Sequence, residues 1–123
     1  MIGLEKGQCV RVVPSRVKEG ALEAWRAAHA EHHSPAVRRQ PGFVRKVLLQ
    51  AEEDERNVAM LLVWESTAQA VGWTKHPEHD VVSAPLGEFA DRSGGRVTAM
   101  PRGGWTVLEV IGPLGDAALP QAP

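Results

Sequence analysis

The chain has 123 residues, 43% hydrophobic and 24% charged, with a net charge of −1, which fits one soluble globular domain with a single core. Its 14 basic and 15 acidic residues are mixed along the chain, so there is no basic block to recommend nucleic acid and no acidic tail to act as an interaction arm. Cys9 is the single cysteine, which excludes an internal disulfide and a thiolate metal site; no apolar run is long enough to cross a membrane, and the opening MIGLEKGQCV lacks a secretory pattern, so a reducing cytoplasm is the expected address.

The stretch CVRVVP (9–14) is β-rich, and Pro14 is expected to end it. GALEAWRAAHAEHH (20–33) predicts a helix, because Leu22, Trp25, His29, His32 and Ala36 recur at a 3–4 residue period. Ser34-Pro35 should break or kink that helix, since the residue before a proline resists the α region. AVRRQPG then leads into a second strand, GFVRKVLLQ (42–50), where Pro41-Gly42 is the turn and Phe43 begins the buried alternation. EEDERN (52–57) is a polar turn. VAMLLVW (58–64) is a third strand, apolar at every position. Ser66 or Thr67 can cap the short helix that follows. Lys75-His76 should end it, and Pro77 suits the first position of a second helical stretch, where its missing N–H is harmless. That stretch is expected to run to about Arg92, interrupted near Pro85 and Gly87. RVTAM (96–100) reads as short and extended, WTVLEVIG (105–112) as the last strand, and residues 113–123 as a poorly ordered tail.

The order β-α-β-β-α-β over residues 1–112 predicts an α+β, ferredoxin-like domain, an antiparallel sheet with its helices on one face. An all-apolar third strand needs cover on both faces, and two helices supply only one. A homodimer with sheets packed face to face is the simplest cover, because cyclic dimers are the commonest assembly.

Two clusters are candidates for chemistry. In HAEHH (29–33), His29 can share a helix face with His32 or with His33. Glu31 follows two residues after His29, so the H-E-x-x-H zinc motif is not formed, and two histidines without a third ligand make a poor metal site. The plainer reading is a solvated or edge-packed polar patch at a helix end, where histidine also suits the macrodipole. In WTKHPEHDVV (73–82), His79 falls in the first turn of a helix. The positive helix end there favours a neutral ring able to serve as base or ligand, while Glu78 and Asp80 pull the other way. Trp73, with Trp64 and Trp25, can either plug the core or wall a flat pocket.

The segments QPGFV (40–44), WES (64–66) and WTKHPEH (73–79), in this order and spacing, resemble the antibiotic biosynthesis monooxygenase (ABM) domain family. The resemblance covers roughly residues 9–112 and implies a dimeric α+β barrel. It also implies an activity, oxidation of polycyclic phenols or quinol-like compounds without metal or flavin. Deprotonating a phenol gives an electron-rich anion that can pass an electron to oxygen, and the protein supplies a base, a dry aromatic pocket and donors for the anion. His79 and His29 are then the candidate bases, with Trp64, Trp73, Trp25 and His32 as pocket residues. The chain departs from the family's asparagine, tryptophan and tyrosine set, for it has no tyrosine and its one asparagine is Asn57. Whether it is an enzyme therefore stays open. Two alternatives stand beside this reading. One is haem binding or degradation, on a branch of the same fold whose tryptophan-then-histidine helix Trp73 and His79 resemble, although His79 arrives early. The other is a non-catalytic dimeric protein that binds a small molecule.

Overall fold

A computed structural model describes residues 4–93 and 103–114. Strands β1 (Cys9–Arg16), β2 (Phe43–Ala51), β3 (Asn57–Trp64) and β4 (Trp105–Ile111) form one sheet in the order β1-β3-β2-β4, and every neighbouring pair is antiparallel. Helix α1 (Leu22–Ala28) passes through a π-helical turn (His29–His33) into α2 (Ser34–Val37), while α3 (Thr67–Thr74) and α4 (Pro77–Gly87) lie between β3 and β4. β3 sits between β1 and β2, which makes the split β-α-β unit of a ferredoxin-like α+β fold. β4 extends the sheet on the far side of β2. Residues 96–100 and most of the tail expected at 113–123 lie outside the described residues.

Strand alternation divides the sheet into two faces. Val58, Met60, Leu62 and Trp64 of β3 share one face with Phe43, Lys46 and Leu48 of β2, following the cross-strand register. Against this face pack Ala36, Val37, Ala70 and Trp73 in one cluster and Trp25 in another. Phe43 and Trp64 stand opposite each other, with ring centroids 5.8 Å apart in an edge-to-face arrangement. The other face carries Ala59, Leu61 and Val63, flanked by Val10 and Val12 of β1, Val47 and Leu49 of β2, and Val107 and Val110 of β4. Val10, Val12, Val107 and Val110 are exposed there at 40–56%. β3 is thus apolar on both sides with helices on one.

Three local expectations are corrected. Pro14 does not end β1, which continues to Arg16. β1 is an edge strand, and a proline there can turn its missing donor away from the ladder. Ser34-Pro35 does not break the first helix, because the chain widens into the π turn and resumes as α2 with Pro35 in its first turn. Pro85 does not interrupt α4, which runs unbroken to Gly87. The carbonyl it leaves without a partner is that of Val81, four residues back, and Val81 is exposed at 70%, where water can take the bond. Of the two caps the sequence offers for α3 the structure uses Ser66, and α4 starts at Pro77 as expected. Ser66 accepts the Gln69 N–H, and His76, as cap of α4, accepts the Glu78 N–H on Nδ1 at 3.1 Å.

Trp64 is 1% exposed and lies within the core formed with Phe43, Leu62 and Trp73. Trp64→Ala should therefore destabilise the fold by about 3–5 kcal/mol, read as a lower denaturant midpoint with an unchanged m-value. A loss below about 1 kcal/mol would place this ring outside the core.

Candidate active site

Pro35 shapes the site from a distance. Its ring crowds the carbonyl four residues back and it has no N–H to give. The preceding turn opens so that the Ser34 N–H reaches the His29 carbonyl, five residues back. Such π turns inside helices are frequent at functional sites. The wider turn brings His29 and His33 inward, each 1% exposed, while His32 is left outside near Glu31, its side chain 42% exposed. The inward pair of HAEHH is therefore 29 and 33.

The inward rings form an aromatic row. Trp25 meets His29 edge-on at 4.5 Å between centroids, His29 meets His33 at 5.7 Å, and His33 meets Trp73 at 6.0 Å. Trp73 also touches His79 at 5.5 Å and His76 at 5.7 Å. Trp73 is thus the hub joining the first helix to the His76-Pro77 corner. Below the row Lys46 is fully buried, and its ammonium donates to His33 Nδ1 and Ser34 Oγ, both at 2.8 Å. An ammonium only donates, so Nδ1 of His33 accepts and the ring proton belongs on Nε2.

Burial and charge set the protonation of this row. Loss of hydration, then the Lys46 charge and His33, push His29 from 6.5 down to about 2. Loss of hydration, then Lys46 and His79, lower His33 to about 3. Burial brings Lys46 down to about 7, against the raising effect of Glu109 on β4. Both histidines are neutral across the physiological range.

Beside the row lies a cavity of about 660 Å³ between β1, Met60 of β3, the first helix and α4. Trp25, Val13, Met60 and Leu86 give it an apolar body, and His29 and His79 are among its lining residues. Arg16, Asp91 and Arg92 stand among its lining residues as well. Arg16 is held by Asp54 at 2.6 Å and Asn57 at 2.8 Å, and Asp91 by Arg56 and Ser93. The ring of Arg56 and Ser93 donors keeps the Asp91 carboxyl near 2, with the Ser93 hydrogen bonds the larger cause. His79 bonds Asp80 Oδ1 through Nδ1 at 2.9 Å. A carboxylate only accepts, so Nδ1 donates in this bond and Nε2 is the ring's other polar atom.

Of the candidate residues named from sequence, His29, His79 and Trp25 line this cavity. Trp64, Trp73 and His32 are not among its lining residues: Trp64 and Trp73 are buried in the core and His32 faces outward. Sequence reasoning weighed His33 as a face partner of His29 without placing it in the site, and missed Ser34 and Lys46. A signal for Lys46 was present, because strand alternation puts it on the same side as Leu48, the side the helices cover. For His33 the signal was its i, i+4 spacing from His29, which puts both on one helix face, but nothing in the spacing joined it to Lys46. Among the described residues, no group of three or more His, Cys, Asp or Glu side chains is placed to hold a metal ion. No described helix is long and apolar enough to cross a membrane.

A ferredoxin-like sheet whose helix-covered face holds a part-apolar, histidine-bearing cavity defines an α+β domain with a cleft of the kind in which small-molecule sites are sought. The sequence profile of the antibiotic biosynthesis monooxygenase family matches residues 10–84, more than half of the chain, and the chain belongs to that family. Among solved structures, one titled "Putative antibiotic biosynthesis monooxygenase from Nitrosomonas europaea" is similar over 93% of this chain and 97% of its own, at 18% identity and a TM-score of 0.58. That likeness concerns the fold. No curated protein matches the chain.

The row's protonation predicts how stability depends on pH. The folded values of His29 and His33 lie below 6.5, so the unfolded chain binds more protons as pH falls through that value, and stability drops from about pH 6.5 downward. Lys46, lowered from 10.5 to about 7, acts likewise in a higher window, with stability rising from about pH 7 to 10.5. Urea midpoints against pH should show both limbs, with His29→Gln flattening the first and Lys46→Met the second. Identical profiles in wild type and variants would contradict the assigned protonation.

Proposed function

We propose that the protein is a cofactor-independent monooxygenase for a phenolic or quinol-like aromatic molecule, working as a homodimer. The observation that carries this reading is the cavity itself, which combines the Trp25 wall and an apolar body with two histidines, one of them held at Nδ1 by Asp80. An aromatic ring of the substrate would lie along Trp25. His79 Nε2 would take the hydroxyl proton, with Asp80 holding the opposite nitrogen as donor, and neutral His29 would face the resulting anion. The electron-rich anion passes one electron to oxygen, and the two radicals combine as a hydroperoxide at an activated methylene carbon. Loss of water then leaves a carbonyl there. One oxygen atom ends in the product and the other in water, so no external reductant is needed. The asparagine–tryptophan–tyrosine set typical of such enzymes has no counterpart here, and the histidine pair would take over the base and anion-facing roles.

The dimer is supported by the uncovered apolar face of the sheet. Val10, Val12, Leu61, Val47, Val107 and Val110 make it continuous across all four strands, larger in extent than the scattered apolar residues of an ordinary surface. A second copy related by a twofold axis presents the same face and covers it. Oxygenase activity is preferred to haem binding because Trp73 lies buried behind His79 instead of standing with it on the cavity wall. A cytoplasmic address is in keeping with the free Cys9.

An oxygen electrode and a panel of hydroxyanthrones and quinols test the activity. Uptake is expected with at least one compound, and His79→Ala should lower kcat/KM roughly 10²- to 10⁴-fold. Unchanged turnover in that variant would remove His79 as base. No uptake across the panel, with binding retained, would leave a ligand-binding protein, and a sharpened Soret band on haemin titration would favour haem. Light scattering should give twice the 13.3 kDa chain mass. Val12→Glu, at a site exposed in the single chain, should yield a folded monomer.

A further inference from the structure

The reaction outlined above uses His79 and His29 and leaves Lys46 without a role. Its side chain is fully buried, and both of its hydrogen-bond partners, His33 Nδ1 and Ser34 Oγ, are neutral acceptors. Among the described residues no carboxylate lies within ion-pair distance of it, and Glu109 on β4 acts on it only through its field. A buried ammonium without a paired counter-ion is expensive, and an apolar side chain of similar size would often do as well or better. Two further observations point from Lys46 toward the cavity. Its partner His33 packs edge-on against His29, which lines the cavity. His29 is 1% exposed, and its Nδ1 is sealed in with no hydrogen-bond partner. Nε2 is not among the buried, unpartnered atoms, which makes it the His29 nitrogen left for a ligand.

We propose that Lys46 is a positioning residue which, acting through His33 and His29, makes the cavity bind an acidic aromatic hydroxyl as its anion in preference to the neutral form. This rests on the reading of the cavity as a site for phenolic molecules and specifies the state in which they are held. The electrostatic reason is a matter of sign. The Lys46 charge is one of the causes that keep His29 and His33 from becoming cations. A field that opposes positive charge at His29 favours negative charge on a ligand atom beside it. The hydroxyl proton passes by way of His79 to solvent, so binding the neutral phenol releases one proton. The groups facing Lys46 are His33 on the π turn, Ser34 on α2 and Glu109 on β4, with Leu62 of β3 and Ile111 of β4 in register with it. The charges that line the cavity from elsewhere are Arg16, Asp91 and Arg92. Arg16 is bonded to Asp54 and Asp91 to Arg56, which leaves Arg92 and, once it holds the proton, His79 as the competing sources of positive field.

The probe is para-nitrophenol, whose yellow anion reports its own protonation without any turnover. Bound to wild type it should ionise about one pH unit lower than in solution, an approximately tenfold preference for the anion. Lys46→Met should still bind the probe but abolish the shift, Lys46→Arg should keep it, and Arg92→Gln should leave it in place. A shift that survives Lys46→Met, vanishes in Arg92→Gln, or is missing in wild type overturns the proposal, as does failure of the probe to bind. Should Lys46→Met not fold, wild type alone decides with para-nitrobenzenesulfonate, an anion throughout the working range. Its affinity should fall about tenfold as pH rises through about 7, where Lys46 loses its proton, while that of neutral para-nitroanisole stays constant. Equal pH dependence for the two overturns the proposal. A shifted probe without oxygen uptake would sink the oxygenase reading alone. Oxygen uptake without a Lys46-dependent shift would sink this one alone.

Discussion

The bond pair from Lys46 to His33 and Ser34 joins the middle of the sheet to the first helix at the place where that helix changes its pitch. A charged group at the centre of a strand's covered face is tolerable only where its hydrogens are taken up. The π turn supplies both acceptors at once, one from each side of the His33–Ser34 junction. The rest follows from that tie. It fixes the inward ring of His33, against which His29 stacks on one side and Trp73 on the other. Trp73 in turn holds the His76-Pro77 corner and with it His79.

Proline stands at two points of this arrangement. Pro35 follows the widened turn in which His29 and His33, four residues apart, both face inward. Pro77 starts α4 at a position where no donor is required, and His76 completes the cap with its own ring nitrogen. His79 therefore enters the cavity from the first turn of a helix whose start is rigidly defined. The apolar and polar parts of the site come from different elements, the walls from β1, β3 and α4 and the titratable rings from two helices. Side chains on fixed elements give a site better geometric definition than side chains on loops.

Much of the fold was legible in the residues. Alternation in β2, the unbroken apolar run of β3 and the Ser66 and Pro77 helix starts all express local rules that depend on neighbours in sequence. The errors were local rules overridden by context. Pro14 stays within its strand because the strand lies at the sheet edge, and Pro85 stays within α4 because its orphaned carbonyl faces solvent. The candidate site was legible only in part. His29, His79 and Trp25 could be named, because histidine and tryptophan in helices attract attention wherever they fall. His33 and Lys46 could not be joined from sequence, since one lies on a turn whose pitch is not α-helical and the other on a strand.

The sequence by itself determined the elements, their order, the double-sided apolar character of β3 and the family. Those properties reside in short-range periodicity and in motifs whose residues are close along the chain. Tertiary structure alone decided which of three histidines in HAEHH turn inward, that Trp64 and Trp73 serve the core, and that a lysine lies beneath the row. The reason is physical. Burial and charge act through space, so the ionisation of His29 depends on Lys46, seventeen residues away in sequence, and on the low-dielectric surroundings that only the packed helix and sheet create.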